Sequence, residues 1–377
     1  MNGVKMGKVL IFHNTIAPYR IDFFNDLYRI LGAKICLYYE NLKDQTFDYE
    51  AIKRKLLFKP EYLGKHIRIG KKERYFGHLK IIKRENPDIV ITSEFGEGLW
   101  ASAFARFVLR KKYRIITICD DSLDYATGRK GIRKLIRDVA IKFLDGMILC
   151  NDDAEKWYDS GYRLKTTVFP IIANEKIFRS DMGAYKDAVA SIIRDNKLTG
   201  KRIFLFVGRI APEKNIRYLV DSFIRQHDQN PENLLLIIGG ATGSNGPLLD
   251  EILGVIKGAK AEGYIKYLGR KEGDELKAYY YASGVFVLPS VSEPFGAVVN
   301  EALMSGNYVM VSSHAGSAFL INGENGEVID VSSPFIDFSG VSKKIPVCDG
   351  VYHERECSMP FSYEDRMTDL IKWIGSI

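Results

Sequence analysis

The chain has 377 residues, of which 46% are hydrophobic and 27% are charged. This length is typical of two or more domains, and the composition is that of a globular protein with a sizeable core. No apolar run approaches the ~18 residues of a membrane helix, and the run at 9–12 is too short for a signal peptide. The cysteines are scattered without C-x-x-C spacing, which indicates reduced thiols of a cytosolic protein and not a disulfide framework or metal cage: Cys36, Cys119, Cys150, Cys348 and Cys357.

In chain order, the first half alternates strand and helix signals, as a doubly wound unit does. Short apolar runs predict strands at 8–12, 35–39, 89–92, 114–119, 147–150 and 166–169. Apolar residues at helical spacing predict helices at 19–31, 72–85, 98–111 and 130–144.

A polar connector at 171–199, with a helical piece at 185–194, leads into a second alternating set. Its predicted strands cover 202–207, 234–238, 265–268, 285–288 and 308–311. The segment 332–360 has little periodicity and no element is predicted there, whereas 361–377 predicts a helix with Ser362 as its N-cap.

These patterns predict an α/β protein of two Rossmann-like, doubly wound domains that face a cleft. We expect an N-terminal domain at 1–180 and a C-terminal domain at 181–360. We expect the last helix, 361–377, to return to the N-terminal domain.

The most informative segment is 292–301, SEPFGAVVNE, which follows the predicted strand 285–288. Pro294 suits the first turn of a helix, so Glu293 is expected on the loop and Glu301 about two turns into the helix. The helix N-terminus between them offers N–H groups and a positive dipole end to a phosphate. One carboxylate can hold sugar hydroxyls and the other a ribose. Taken alone, such a glutamate pair also fits ordinary solvated or dipole-capping residues.

A second basic segment, 208–215, follows the predicted strand 202–207 and precedes a helix from about Ile216. Arg209 and Lys214 are expected to converge at the carboxyl end of that strand, where open α/β sheets bind ligands. A forked guanidinium and a point-charge ammonium suit a diphosphate. The plainer alternative is two solvated basic residues on a loop.

Together these segments carry a family resemblance. Gly208-Arg209, Glu213-Lys214-Asn215, Gly239-Gly240, Leu268-Gly269-Arg270 and the pair Glu293 and Glu301 follow in an order and spacing that resemble retaining family 4 glycosyltransferases of GT-B fold. The resemblance covers about 203–329. Pro18-Tyr19-Arg20 also recurs in some of these enzymes.

The resemblance implies a site for a nucleotide-sugar. It implies that Arg209 and Lys214 bind the donor diphosphate, that Glu293 holds the transferred sugar with the Phe295 and Gly296 backbone, and that Glu301 holds the ribose. Catalytic roles fall on Glu293, Arg209 and Lys214. The implied donor-binding set is Gly208, Arg209, Lys214, Gly240, Arg270, Glu293, Pro294, Phe295, Gly296, Ala297, Val298 and Glu301.

The sequence departs from the family at three places. The loop after the first strand, from His13 and Asn14, lacks the usual Gly-Gly, and Phe319 replaces an acid. Where relatives carry His-Asp after the fourth strand, this chain has Cys119-Asp120. Asp120 or Asp121 is therefore expected to orient the acceptor. The acceptor-side candidates are His13, Asn14, Arg20, Asp120 and Asp121.

No cofactor and no metal are expected, since the UDP- or GDP-linked sugar is a substrate. Asp120-Asp121 and Asp152-Asp153 do not form an Asp-x-Asp motif, and in GT-B-like sites helix dipoles and basic residues do the metal's work. The glycines at 240, 243 and 246 do not fit the dinucleotide fingerprint G-x-G-x-x-G.

Positive charge is concentrated in the first half. Residues 1–180 hold 34 lysines and arginines against 22 acids, and 181–377 hold 20 against 25. The densest part, 53–84, which we call the basic stretch, has twelve basic residues from Lys53 to Arg84 with aromatic residues between them. It fits an anionic membrane surface or a lipid-linked acceptor, and also a plain solvated face. Nucleic acid is not expected as a partner, because no nucleic-acid motif is present.

The sequence therefore predicts a cytoplasmic enzyme, peripheral on the inner face of the cell membrane. It would transfer a sugar to a hydroxyl of a glycan or lipid-linked oligosaccharide in cell-surface polysaccharide assembly, with retention implied by the resemblance. Two alternatives remain: an epimerase or phosphorylase on the GT-B scaffold, and a non-catalytic membrane-associated scaffold that keeps a donor site.

Overall fold

The structure is a computed structural model that describes residues 7–40, 47–69, 72–241 and 243–377. It divides into two compact units, the first formed by residues up to Asn174 together with Tyr363–Ile377 and the second by Glu175–Ser362. The boundary lies before the predicted 180 because Arg179 donates to the carbonyls of Met304 (2.6 Å) and Arg355 (2.8 Å) of the second unit.

The first unit alternates strands with helices along the chain. Its strands are β1 Val9–His13, β2 Lys34–Leu37, β3 Glu61–Tyr62, β4 Lys65–Ile69, β5 Lys72–Phe76, β6 Ile89–Ser93, β7 Arg114–Cys119, β8 Gly146–Leu149 and β9 Thr166–Val168. Its helices, up to the unit boundary, are α1 Ile21–Leu31, α2 Tyr49–Lys55, α3 His78–Glu85, α4 Glu97–Val108, α5 Leu123–Gly128, α6 Gly131–Ile141 and α7 Asp152–Tyr162. A 3-10 turn at Pro18–Arg20 precedes α1.

Seven strands of this unit form one parallel sheet in the order β3-β2-β1-β6-β7-β8-β9. The chain runs outward from β1 to β3 and then returns to place β6 on the other side of β1. The carboxyl ends of β1 and β6 therefore border a topological switch point, the place where open α/β sheets bind ligands.

The predicted helix at 72–85 is wrong in its first part. β4 and β5 pair as an antiparallel hairpin, and Gly77, with φ of +117°, separates the hairpin from α3. The apolar spacing of 72–85 resembled that of a helix, but pairing with β4 satisfies the backbone of 72–76 instead.

The second unit repeats the same design. Its strands are β10 Arg202–Val207, β11 Asn233–Ile238, β12 Ile265–Tyr267, β13 Val285–Leu288, β14 Tyr308–Ser312 and β15 Gly326–Ile329. Its helices are α8 Glu175–Arg179, α9 Lys186–Asp195, α10 Ile216–Gln226, α11 Gly246–Gly258, α12 Gly273–Ala282, α13 Ala297–Met304 and α14 Ser339–Lys344. The sequence did not predict β15, α8 or α14.

This second sheet is also parallel, in the order β12-β11-β10-β13-β14-β15. Every residue of β10, β11 and β13 is buried, as expected for strands covered by helices on both faces. The chain leaves β10 toward β12 and returns to place β13 beside β10. A second switch point therefore lies between the carboxyl ends of β10 and β13.

The chain ends in α15, Tyr363–Ser376, which belongs to the first unit. The Tyr363 ring lies edge-on to Phe169 at 5.6 Å, next to β9. A side chain at Gly146, on β8, would collide with Ile377 and Trp373. The helix thus covers the end of the first sheet.

The loops after β10 and β11 approach so closely that Gly239→Ala is expected to destabilise the fold. A Cβ at Gly239 would lie 1.8 Å from the Gly208 carbonyl oxygen. Such overpacking costs about 1–3 kcal/mol of the free energy of unfolding. Denaturant unfolding measures it, with Gly254→Ala on α11 as the control, because a Cβ there meets nothing within 4 Å. Equal stability of the two variants would contradict this account of the loop.

Candidate functional site

Two sets of polar side chains lie at the two switch points. We call them the β10–β13 cluster, built on the loops after those strands in the second unit, and the β1–β6 cluster, built on the loops after β1, β6 and β7 in the first unit. Each is described by itself.

The centre of the β10–β13 cluster is an ion pair between Lys214 Nζ and Glu293 Oε2. Lys214 ends the 3-10 turn Pro212–Lys214 that follows β10, and Glu293 lies on the loop after β13. The Val291 amide donates to the Glu213 carbonyl at 2.9 Å, so the backbones of the two loops are also joined. Both side chains of the pair are only 13% exposed.

Low exposure makes this pair costly to break by removing one partner, because the other charge would remain poorly solvated. A lysine ammonium has three hydrogens and donates in three directions. Lys214 can therefore keep Glu293 as a partner and still donate to an anion that enters the switch point.

Arg209 lies on the same loop but has a different partner. Its Nη2 is 3.1 Å from Glu213 Oε1, and its side chain is 56% exposed. The structure thus places Lys214 in the interior of the cluster and Arg209 at its open side, where an exposed ion pair holds its side chain only weakly.

The loop that carries Glu293 has a fixed backbone. The Glu293 amide donates to the His314 carbonyl (3.2 Å), the Gly316 amide to the Glu293 carbonyl (3.0 Å), and the Ser317 amide to the Phe295 carbonyl (2.8 Å). A Cβ at Gly316 would lie 2.1 Å from the Pro294 carbonyl oxygen, so only glycine allows this approach.

The helix after this loop begins later than predicted. Gly296 is its N-cap, with φ of +91°, and α13 starts at Ala297, so Pro294 lies in the loop and not in the first turn. A side chain at Gly296 would crowd Leu288, Ser317 and Glu293 at 3.0–3.2 Å. The Ala297 and Val298 amides at the start of α13 suit a phosphate, because the first amides of a helix have no acceptor within it. The Val299 amide already donates to the Gly296 carbonyl at 3.0 Å.

Glu301 is the fifth residue of α13, about one turn into the helix and not two. Burial raises the pKa of its carboxyl to about 7, and the neighbouring Tyr280 phenol offsets part of this shift. Glu301 therefore changes charge near neutral pH. Hydroxyl groups of a ligand that donate hydrogen bonds to this carboxyl would favour its ionised form.

The other predicted donor-side residues line the neighbouring strand ends. The Gly208 amide donates to the Ile238 carbonyl (3.0 Å) and the Ile210 amide to the Gly240 carbonyl (3.0 Å), which brings the loops after β10 and β11 together. Arg270, after β12, pairs with Glu272 and is 45% exposed. Phe319, which stands where the family has an acid, contacts the rings of Phe295 and Phe361 at 6.4 and 6.3 Å.

The β1–β6 cluster brings together residues from three strand ends. His13 ends β1, Glu94 follows β6, and Asp120 and Asp121 follow β7. The Asp120 amide donates to Glu94 Oε1 at 3.1 Å. Arg129 lies 2.5 Å from Asp121 Oδ1 and 3.5 Å from Glu94 Oε2.

Asp120 and Asp121 have different surroundings. Asp121 is 5% exposed and is held by Arg129 and by the Tyr158 hydroxyl, which donates to it at 3.0 Å. Asp120 is 38% exposed and accepts a hydrogen bond from Arg20 at 2.5 Å. Asp120 is thus the aspartate with a free approach, whereas Asp121 and the buried Arg20 position their neighbours.

His13 is the neutral residue among these charges. Its Nδ1–H donates to the Thr15 carbonyl at 2.8 Å, which leaves Nε2 as the ring's acceptor. Burial lowers the pKa of His13 to about 4, with opposing influences from Asp120 and Arg20. Asn14, the next residue, accepts from the Tyr38 and Tyr39 amides through its carbonyl (both 3.2 Å) and shapes the loop.

Glu94 is the residue that sequence reasoning missed. It adopts φ of +55°, a left-handed conformation that costs energy for a non-glycine residue and is concentrated at functional sites. Desolvation and the charges of Asp121 and Asp120 raise the pKa of its carboxyl above the ordinary value, and 36% of its side chain is exposed. The signal in the sequence was an acid two residues after the predicted strand 89–92, which the structure pairs with β1 as β6.

Glu94, Cys119 and Asp121 also present three potential metal-ligand atoms within 4.8 Å of one another. Arg129 already supplies positive charge to both carboxylates. Burial and the nearby acids raise the pKa of the Cys119 thiol well above its usual range, which makes a poor ligand of it. These three residues therefore fit a pair of acids bridged by Arg129 better than they fit a metal centre.

The basic stretch is less open than its sequence suggested. Leu63 and Tyr75 are buried, the Phe58 ring contacts Tyr28 at 5.4 Å, and Arg84 pairs with Glu61 at 2.6 Å. Lys71 and the side chain of Lys72 lie outside the described residues. Among the helices that the structure describes, none has both the length and the apolar composition needed to cross a bilayer.

Comparison with known proteins finds similarity to glycosyltransferases. The family model described as Glycosyl transferases group 1 matches residues 189–335. Alpha-monoglucosyldiacylglycerol synthase of Acholeplasma laidlawii is 28% identical over 273 residues, which are 67% of this chain and 65% of that protein. D-inositol 3-phosphate glycosyltransferase of Corynebacterium glutamicum (strain R) is 33% identical over 141 residues, 35% of this chain and 32% of that protein. The chain thus matches less than two thirds of the length of these relatives.

Solved structures show the fold. Anabaena HepE in complex with UDP and glucose superposes with a TM-score of 0.71 at 14% identity, over 98% of this chain and all of that one. Sucrose-phosphate synthase from Thermosynechococcus elongatus superposes with a TM-score of 0.59 at 18% identity, over 98% and 92%. The predicted GT-B fold, with two Rossmann-like domains, is confirmed.

His13 is expected to remain neutral until the pH falls to about 4. An NMR titration of its ring measures this pKa. Arg20→Gln should raise it, because the guanidinium charge disfavours the imidazolium, and Arg29→Gln, whose exposed side chain pairs with Asp26, should not change it. A wild-type value near 6.5 would contradict the described cluster.

Proposed function

We propose, from the premise that residues 189–335 of this chain belong to the glycosyl transferases group 1 family, that the protein is a glycosyltransferase. It would move a sugar from a nucleoside diphosphate donor to an acceptor hydroxyl. The observation that carries the proposal is the Lys214–Glu293 ion pair at the β10–β13 switch point. The ammonium is held by a carboxylate on the loop that leads into the N-terminus of α13.

In the proposed mechanism the diphosphate leaves while Lys214, Arg209 and the first amides of α13 neutralise its growing charge. Preorganised donors of this kind are worth a few kcal/mol each, because they need no reorganisation during the reaction. The Glu293 carboxylate would accept hydrogen bonds from the sugar hydroxyls and hold the sugar in place. Glu301 would accept hydrogen bonds from the ribose.

Retention of the anomeric configuration follows from the family resemblance. The acceptor hydroxyl would attack from the face that the diphosphate leaves, and its proton would pass to the departing phosphate. No protein nucleophile is invoked. The fixed backbone of Glu293–Gly296 would keep the sugar still while the bonds change.

On the acceptor side we assign roles to Asp120 and Glu94. Asp120 has an exposed carboxylate held by Arg20, and it can orient a hydroxyl. Glu94, whose carboxyl has a raised pKa, can exchange a hydrogen bond with that hydroxyl in either protonation state, while the hydroxyl proton itself passes to the departing phosphate. The neutral Nε2 of His13 offers a further acceptor at the edge of this cluster.

The substrates we propose are a UDP- or GDP-linked sugar and a hydroxyl of a glycan or lipid-linked oligosaccharide in cell-surface polysaccharide assembly. Support comes from relatives: HepE was solved with UDP and glucose, and the Acholeplasma relative is named for a diacylglycerol lipid. A lipid-linked acceptor would place the enzyme at the inner face of the cell membrane. The basic stretch would contribute electrostatic attraction there.

Incubation with a panel of nucleotide-sugars, with and without lipid-linked acceptor, tests the proposal through release of nucleoside diphosphate. Arg209→Ala and Lys214→Ala are each expected to lower turnover by a factor on the order of 10² or more, because each removes charge stabilisation that grows in the transition state. Arg217→Ala is the control, since Arg217 forms an exposed pair with Asp221 on α10. Wild-type turnover in a folded Arg209→Ala/Lys214→Ala variant would reject the assignment.

Glu301 is expected to make nucleoside diphosphate binding depend on pH. Its pKa is about 7 in the free protein, and ribose hydroxyls donate to the ionised form, so affinity should fall as the pH is lowered through 7. Calorimetry with UDP and GDP at pH 6 and 8 measures this. The phosphate of the ligand titrates with its own pKa near 6, so the comparison is made with Glu301→Gln.

Glu301→Gln should bind more weakly at pH 8 and lose the part of the pH dependence that Glu301 contributes. Glu293→Ala should leave product affinity nearly intact, because Glu293 is assigned to the sugar. The reverse pattern in the two variants would mean that the two roles are exchanged.

A further inference from the structure

An apolar surface on the first unit is not used by either cluster. Eight large apolar side chains on α4, on α6 and directly after α6 are between 37% and 83% exposed: Phe104, Phe107, Val108, Ile132, Leu135, Ile136, Val139 and Phe143. We call them the α4–α6 surface. Contiguous exposed apolar areas on a folded domain mark sites of interaction.

The side of α6 that faces the first unit is defined by its buried residues. Arg137 is 1% exposed, and its guanidinium lies 4.9 Å from the Trp157 ring and 5.8 Å from the Tyr162 ring. It also donates to the Ala126 carbonyl. Ala140 and Ile141 are buried on the same side. Because these residues face the unit, the stripe at 132, 135, 136 and 139 lies on the opposite side of the helix.

The two helices contribute to one continuous surface. The Trp100 ring of α4 meets the Phe143 ring edge-on at 5.9 Å, and Arg106 donates to the Phe143 carbonyl at 2.8 Å. Trp100 and Phe104 are four residues apart on α4 and therefore neighbours on its surface. The apolar residues of α4 thus continue into those of α6 through this contact.

Basic residues lie within and next to α4 and α6 in the sequence. Arg110, Lys111 and Lys112 follow α4, Lys130 and Arg133 lie at the start of α6, and Lys134 and Lys142 flank the stripe. The two acids of α6 and the loop after it are engaged: Asp138 pairs with Lys134 at 2.5 Å and Asp145 with Arg106 at 2.8 Å. An open groove of about 760 Å³ beside α6 is lined by Lys134, Asp138, Lys142 and Arg163 among other residues, and Asp138 neutralises only one of these cations.

We propose that the α4–α6 surface inserts into the interface of an anionic lipid bilayer. An apolar stripe with basic flanks on a helix of this kind lies in the plane of the membrane, with its apolar side chains below the headgroups. The charges favour this occupant, because the flanks match anionic headgroups. The inference deepens the membrane part of the proposed function: the basic stretch attracts the protein, and the α4–α6 surface anchors it.

Sedimentation of the full chain with vesicles tests this, using phosphatidylcholine alone and phosphatidylcholine mixed with phosphatidylglycerol. The wild type should bind the anionic vesicles, and part of this binding should persist at high salt, because apolar insertion is not screened. Leu135→Ser/Ile136→Ser and Phe104→Ser/Phe107→Ser should each lower the partition coefficient about tenfold or more. Leu57→Ser/Phe76→Ser, which removes exposed apolar residues of the basic stretch, is the matched control and should retain the salt-resistant binding.

The charge contribution is tested separately. Replacement of Lys53, Arg54, Lys55, Lys71 and Lys72 with Gln should weaken binding at low salt and leave the salt-resistant part. In an Ile132→Cys/Cys348→Ser/Cys357→Ser variant, the emission of an environment-sensitive dye attached at position 132 should shift to the blue on anionic vesicles. Circular dichroism verifies that each variant is folded.

We call Leu135→Ser/Ile136→Ser and Phe104→Ser/Phe107→Ser the patch variants. Three outcomes would overturn the inference: patch variants that sediment like the wild type, a wild type that does not bind anionic vesicles, or a wild-type dimer that the patch variants convert to monomers. The last result would make the α4–α6 surface a subunit interface. Calorimetric titration with UDP and GDP separates this failure from that of the proposed function, because the patch variants should bind nucleotide as the wild type does.

Discussion

The ion pair between Lys214 and Glu293 joins the two loops at which the second sheet reverses its strand order. Its position follows from topology, because β10 and β13 are neighbours in the sheet although they are distant in the sequence. Between the end of β10 at Val207 and the start of β13 at Val285 lie 77 residues. Parallel pairing brings their carboxyl ends to one edge, and the bond between the Val291 amide and the Glu213 carbonyl fixes the loops against each other. The proposed placement of phosphate, sugar and ribose depends on this arrangement.

The two clusters have the same topological origin and opposite electrostatics. In the β10–β13 cluster the interior holds the Lys214–Glu293 pair, and the loop of Glu293 leads into the N-terminus of α13. A lysine and a helix N-terminus each favour a bound anion. In the β1–β6 cluster three carboxylates lie close together, and their mutual repulsion and burial raise the pKa of Glu94. The first is suited to a leaving diphosphate, whereas the second is suited to holding an acceptor hydroxyl in position.

Much of the fold could be predicted from the sequence where the physics is local. Strands such as β7, β10 and β13 are continuous apolar runs, because helices cover both faces of a parallel sheet. The donor-side residues were named from the family resemblance that the glycines and charges around these strands carry, and their roles stay a prediction. The family match to 189–335 agrees with the resemblance itself.

The rest depended on contacts that the sequence does not show. The hairpin of β4 and β5 stands where the first part of a helix was predicted, because backbone pairing with β4 stabilises 72–76 as a strand despite the helical spacing of its apolar residues. Pro294 lies outside α13 because Gly296, in a left-handed conformation, starts the helix. Glu94 and the α4–α6 surface were missed because their significance depends on three-dimensional surroundings. The pKa of Glu94 is raised by burial and by neighbouring acids that follow a different strand. The apolar residues of α6 are exposed because Arg137, on the opposite side of the helix, is the side chain that is buried.

The structure of the protein with a bound nucleoside diphosphate, solved by crystallography, tests the central claim most directly. The account predicts the β-phosphate within about 3 Å of Lys214 Nζ and of the amides at the start of α13, with the ribose hydroxyls on Glu301. A nucleotide bound elsewhere, with no phosphate contact from Lys214 or α13, would contradict it.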